Sequence, residues 1–90
     1  MKKVIATPDA PKAVGPYSQA IEVNGTLYIS GQIPVNPADG KIQEEITAAA
    51  HQSLKNIGAI LKEAGMTYDN VVKTTVLLAD IADFKAVNEV

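Results

Sequence analysis

Asn24-Gly25, set between two short runs of β-forming residues, is the feature that most constrains this chain. An Asn-Gly connection supplies the positive φ angles of a tight turn whose twist matches two antiparallel strands. Ala20-Ile21-Glu22-Val23 and the returning Leu27-Tyr28-Ile29-Ser30 therefore read as a hairpin. The returning strand runs into Gly31-Gln32-Ile33-Pro34. Gly31 lets the backbone turn or approach a ligand closely, and Pro34 stops the strand. Taken alone, Ser30-Gly31 is a strand exit. A strand ending this way also exposes a hydroxyl and backbone N–H groups at the rim of a sheet, where small ligands bind.

On either side of the hairpin the pattern is equally readable. Lys2 to Thr7 is a short strand candidate, and Pro8, Pro11, Gly15 and Pro16 then punctuate a long irregular segment. A loop of that length in a small domain is functional or flexible. Asn36-Pro37-Ala38-Asp39-Gly40 is a turn-rich connection. The best helix starts at Ile42 or Glu44 and ends at Ala64, with Ile46, Ala50, Leu54, Ile57, Leu61 and Ala64 as one apolar stripe. Glu44 and Glu45 fall in its first turn, and Gly65 fits the left-handed position past its end. Val71 to Leu78 is rich in β-branched residues and reads as a fourth strand, buried on both faces near its end. The helix before it could make a crossover between parallel neighbours in a mixed sheet. Asp80 is an N-cap candidate for a second helix that turns Ile81, Phe84 and Val87 inward. That helix reaches Val90 without a C-cap and with Glu89 at its negative end, like a chain cut inside an element.

Composition excludes several functions. Ninety residues make one domain, small enough that burial in an oligomer would add to its stability. The absence of cysteine removes disulfides, thiolate metal sites and cysteine nucleophiles, and a single histidine cannot build a multi-histidine metal site. The eight basic residues are all lysines, scattered among ten acids for a net charge of −2. Without arginine or a basic cluster, the chain is poorly suited to a nucleic-acid partner. The N-terminus meets Pro8-Asp9 before any long apolar core, so it does not read as a signal peptide, and no apolar run approaches the roughly 18 residues needed to span a membrane. The default compartment is the cytoplasm.

A few residues could carry chemistry. Tyr17 follows a proline-fixed backbone; its phenol could donate to a substrate oxygen, or serve as a packed loop anchor with a wet hydroxyl. Ser30 lacks a base, because His51 shares the helix face of Thr47, Lys55 and Lys62, away from the apolar stripe. Gln19, Gln32, Gln52 and Asn56 read as residues that hold loops, although a ligand or subunit neighbour could use them. Asn88 could serve a ligand or cap carbonyls.

Together these pieces resemble one family, the Rid proteins (reactive intermediate deaminases, the YjgF family). The resemblance rests on Gly15-Pro16-Tyr17-Ser18-Gln19-Ala20, Tyr28 to Pro34, Gln52 to Leu61, Val72 to Val76 and Asp83 to Asn88, in that order. It implies a chorismate-mutase-like α+β fold, a mixed six-stranded sheet backed by two helices. It also implies homotrimers with ligand clefts between subunits. The implied activity is hydrolysis of 2-iminobutanoate, 2-iminopropanoate or their enamine tautomers to 2-oxo acids and ammonia, without a cofactor or metal. Carried over by position, Tyr17, Ser30, the Gly31 backbone and Asn88 bind substrate.

In the family, the chain past Asn88 completes the helix and adds two strands. That segment carries an arginine that grips the substrate carboxylate and a glutamate that positions water. The 90 residues contain no arginine, so residues 1–90 read as a single Rid-like domain incomplete at its C-terminus, with no catalytic residue assigned. Charge-assisted bonds are about twice as strong as neutral ones, and general acid–base help is worth roughly 10²- to 10⁴-fold, so this form is expected to be nearly inactive on imino acids. Two other functions stand beside deamination. One is an endoribonuclease or translation inhibitor; the other is a trimer that binds small carboxylates without turnover.

Overall fold

The computed structural model describes residues 2–90. Three strands, β1 (Lys2–Ile5), β2 (Ala20–Val23) and β3 (Thr26–Ile29), form an antiparallel sheet in the order β1-β2-β3. The hairpin forms as the sequence requires: Val23 pairs with Thr26 across Asn24 (φ 51°) and Gly25 (φ 83°), the two positive-φ residues of the turn. Ile5 pairs with Ala20, so the segment between β1 and β2 is a long loop whose ends meet at the sheet.

Helix α1 (Ile46–Glu63) backs this sheet. It starts later than the apolar pattern suggested, because Glu45 serves as its N-cap rather than a first-turn residue. The Glu45 carboxylate accepts from Ala48 N at 2.8 Å. That bond holds the Glu45 carboxyl below its ordinary pKa, with the Thr47 N–H adding to the effect. Past Ala64, Gly65 adopts φ 77°; Gly65 N donates to Lys62 O and Met66 N to Leu61 O, closing the helix with a Schellman pair.

Ile5, Ala10, Ala20 and Ile60 form the buried core, with Leu27, Ile29, Ala59 and Ala64 against it. The most buried line of α1 runs through Asn56 and Ile60, neither of which belongs to the apolar stripe, while Leu61 of the stripe is also buried. A one-turn helix (Tyr68–Asn70) follows, capped by Thr67, and the Tyr68 hydroxyl donates back to the Leu54 carbonyl of α1.

Two expectations need correction. Val71 to Leu78 forms no strand, so the sheet is antiparallel rather than mixed. β-Branched composition favours extended backbone, but a strand exists only when its N–H and C=O groups meet a partner. Among the described residues none is offered, and Val72 and Leu77 are 98% and 90% exposed. The second helix, α2 (Phe84–Glu89), does form, entered through a helical turn at Ile81–Asp83 that Asp80 caps by accepting from Ala82 N at 2.9 Å. Ile81 and Phe84 are nevertheless exposed, and only Val87 is half-buried. The class is α+β with two helices.

Candidate functional site

Beside the sheet's end lies a groove of about 310 Å³. One wall is the loop after β1, through Pro11, Lys12, Val14 and Tyr17; the other is the segment after β3, through Gly31, Gln32, Ile33 and Val35. Most of this lining is apolar, with a phenol, two carboxamides and a single cation, Lys12, which suits a small polar or anionic ligand.

Each wall is irregular backbone, and each is held by a buried carboxamide. Asn56, 1% exposed, reaches from α1 and donates through Nδ2 to Ile33 O (3.1 Å) and Val35 O (3.0 Å). Its Oδ1 accepts from Gln52 Nε2 at 3.0 Å. Gln19 accepts through Oε1 from Thr7 N (2.7 Å) and donates through Nε2 to Thr7 O, Ala10 O and Pro11 O. The loop-holding reading of Gln19, Gln52 and Asn56 is what the structure contains. Such burial is stable only because every polar group finds a partner.

The sequence-derived site residues separate into three positions. Tyr17 and Gly31 both line the groove. The Tyr17 ring is half exposed, and its hydroxyl oxygen accepts from Val14 N at 3.4 Å, which leaves the phenolic proton free to donate. Gly31 N donates to no group among the described residues. Ser30 stands behind Gly31 outside the lining, and its Oγ donates to the Gln19 carbonyl at 3.0 Å. Its hydroxyl proton is thus committed, and the oxygen can serve a ligand only as an acceptor. Asn88 lies on α2, exposed and outside this groove. A second hollow, of about 420 Å³ and bordered by His51, Leu54, Lys55, Tyr68 and Val90, holds none of the four.

Sequence reasoning missed Lys12 and the position of Gln32 on the lining. Lys12 between two prolines and Tyr17 gave a weak signal, because all eight lysines looked scattered. Among the described residues no cluster of acids and histidine could hold a metal, and no helix is long and apolar enough to cross a membrane.

Known proteins resemble this chain in sequence and fold. The family model described as Endoribonuclease L-PSP matches residues 7–90. A mouse protein named 2-iminobutanoate/2-iminopropanoate deaminase is 54% identical over the whole of this chain, which covers 67% of it. A Yersinia pestis structure described as the conserved Rid family protein YyfA superposes with TM-score 0.96 at 51% identity, over 99% of this chain and 71% of its own. Escherichia coli TdcF, solved with bound serine, gives TM-score 0.93 at 40% identity, over 97% of this chain and 68% of its own. The chain thus spans about two thirds of the length of the curated relatives it matches. On the match over residues 7–90 and this level of identity, the chain belongs to the endoribonuclease L-PSP family, that of the Rid (YjgF) proteins.

Proposed function

We propose that these residues form the substrate-holding part of a 2-iminobutanoate/2-iminopropanoate deaminase. The supporting observation is that Tyr17 and Gly31 line one groove in a chain 54% identical to a protein of that name. The reaction adds water across the C=N bond of a 2-imino acid and expels ammonia, leaving a 2-oxo acid. Here the Tyr17 hydroxyl donates to a substrate oxygen and Gly31 N supplies a second donor, while Ser30, bonded to the Gln19 carbonyl, supports the Gly31 backbone from behind the lining. Lys12 gives the lining its positive charge. No cofactor enters this scheme.

Asn88 belongs to the same site in this reading, contributed across a homotrimer interface. Self-association is supported by Val4, Ile21 and Tyr28, which stand in register across the three strands, with Val4 and Tyr28 exposed. We take the 90 residues as one incomplete Rid-like domain acting in the cytoplasm.

Ammonia release from freshly generated 2-iminobutanoate tests the reading. The chain extended by the missing third of its relatives should accelerate it, and the 90-residue form should be slower by orders of magnitude. Equal rates for the two would overturn this account of the site.

The description of the family model favours one second reading, RNA cleavage. Eight lysines without arginine offer poor phosphate recognition and count against it. Cleavage that survives stringent purification and falls on substituting Tyr17 or Ser30 would establish it instead.

A further inference from the structure

We propose that Gln19 is the positioning residue of the groove, the single group that fixes its two walls relative to one another. This rests on reading the groove as a ligand site. Gln19 is 5% exposed and stands where the long loop enters β2. Its side chain takes up one N–H and three carbonyls of Thr7, Ala10 and Pro11, at 2.7, 3.1, 3.3 and 2.8 Å. Those residues lead directly into the wall that carries Lys12, Val14 and Tyr17. Its main-chain carbonyl accepts from both Ser30 N and Ser30 Oγ at 3.0 Å, the residue that leads into Gly31 and Gln32.

One residue therefore holds the loop with its side chain and the strand exit with its backbone. The loop has no regular ladder to satisfy its carbonyls, so their convergence on Nε2 selects one backbone conformation from many. Gln19 borders the groove as well, but its side-chain polar atoms are taken up by Thr7, Ala10 and Pro11, so substrate contacts fall to Tyr17 and Gly31 and Gln19 acts through both. A residue that merely filled the core would leave the loop's carbonyls to find water and the two walls free to shift independently.

The test uses the full chain, ¹⁵N-labelled, with 2-oxobutanoate as probe, in the native sequence and in Gln19→Glu and Gln19→Met. The Glu variant keeps the acceptor for Thr7 N–H but turns a second oxygen toward three carbonyl oxygens; the Met variant keeps the length and loses every side-chain bond, while the main-chain carbonyl still accepts from Ser30. In both, amide resonances of α1 and of the Asn24-Gly25 turn should stay in place while those of Lys12, Val14, Tyr17 and Gly31 move. Affinity for 2-oxobutanoate should fall about fivefold to tenfold, the scale of losing one positioned hydrogen bond. Folded variants with unmoved Lys12 and Gly31 resonances and unchanged affinity would overturn the proposal. So would unfolding of both variants, since Gln19 would then hold the whole fold. If the native chain fails to bind the probe, the ligand reading fails instead, and the movement of the two walls alone decides the role of Gln19.

Discussion

The Tyr68 ring occupies the space that a side chain on Gly58 would need. A Cβ at Gly58 would stand 2.9 Å from Tyr68 Cζ, and closer still to the hydroxyl that donates to Leu54 O. Glycine inside a helix costs about 1 kcal/mol relative to alanine, so its presence in α1 needs a reason, and the docked ring supplies one.

Gly58→Ala should therefore push the Tyr68 ring into solvent. In a Tyr68→Ala background the same change should stabilise the protein by about 1 kcal/mol, through helix propensity alone. With Tyr68 present most of that gain should vanish. A denaturant-melt double-mutant cycle with coupling below about 0.5 kcal/mol would contradict the contact.

Asn56 makes the strongest stability prediction. Asn56→Ala strands the Ile33 and Val35 carbonyls and the Gln52 amide, and should cost about 2–4 kcal/mol. Urea unfolding measures it. Asn56→Asp should be worse at neutral pH, because a carboxylate would face two carbonyl oxygens, and should recover in part on acidification.

Glu45 predicts a pH dependence with a definite sign. Its folded-state pKa is lowered, chiefly by the Ala48 N–H bond. The cap's stabilisation is therefore complete above the unfolded glutamate value and is lost as pH falls through the depressed folded one. A ¹³C carboxyl titration should give Glu45 a midpoint below the ordinary glutamate value, and helicity should drop across the same interval. Glu45→Ala should remove that drop.

Tyr17→Phe should separate binding from stability. The hydroxyl's contact with Val14 N is long, at 3.4 Å and exposed, so its loss should change stability by less than about 0.5 kcal/mol. If the phenol donates to the ligand, affinity for 2-oxobutanoate should fall about fivefold, as loss of roughly 1 kcal/mol implies. Calorimetry with both proteins decides between an anchor and a donor.

Local chemistry made much of this fold readable. Asn24-Gly25, Gly65 and Asp80 each act within a few residues of themselves, so turn, C-cap and N-cap follow from the sequence. Val71 to Leu78 failed as a strand because pairing depends on a partner that composition does not reveal. Asn56 was legible as a loop-holder but not as the centre of the buried helix line, since its partners lie 21 and 23 residues away. Tyr17 and Gly31 line one groove, an arrangement for which the sequence offered only a family resemblance, and the commitment of the Ser30 proton to Gln19 depends on a contact 11 residues distant.

The unpaired stretch from Val71 to Leu78 has a consequence for handling the protein. Val71 N donates to Tyr68 O, but the backbone groups of residues 72–78 have no backbone partner among the described residues, and the composition of the stretch is that of a ready template for another strand. Dilute and concentrated samples should therefore age differently, with the amides of this stretch the first to gain protection as concentration rises.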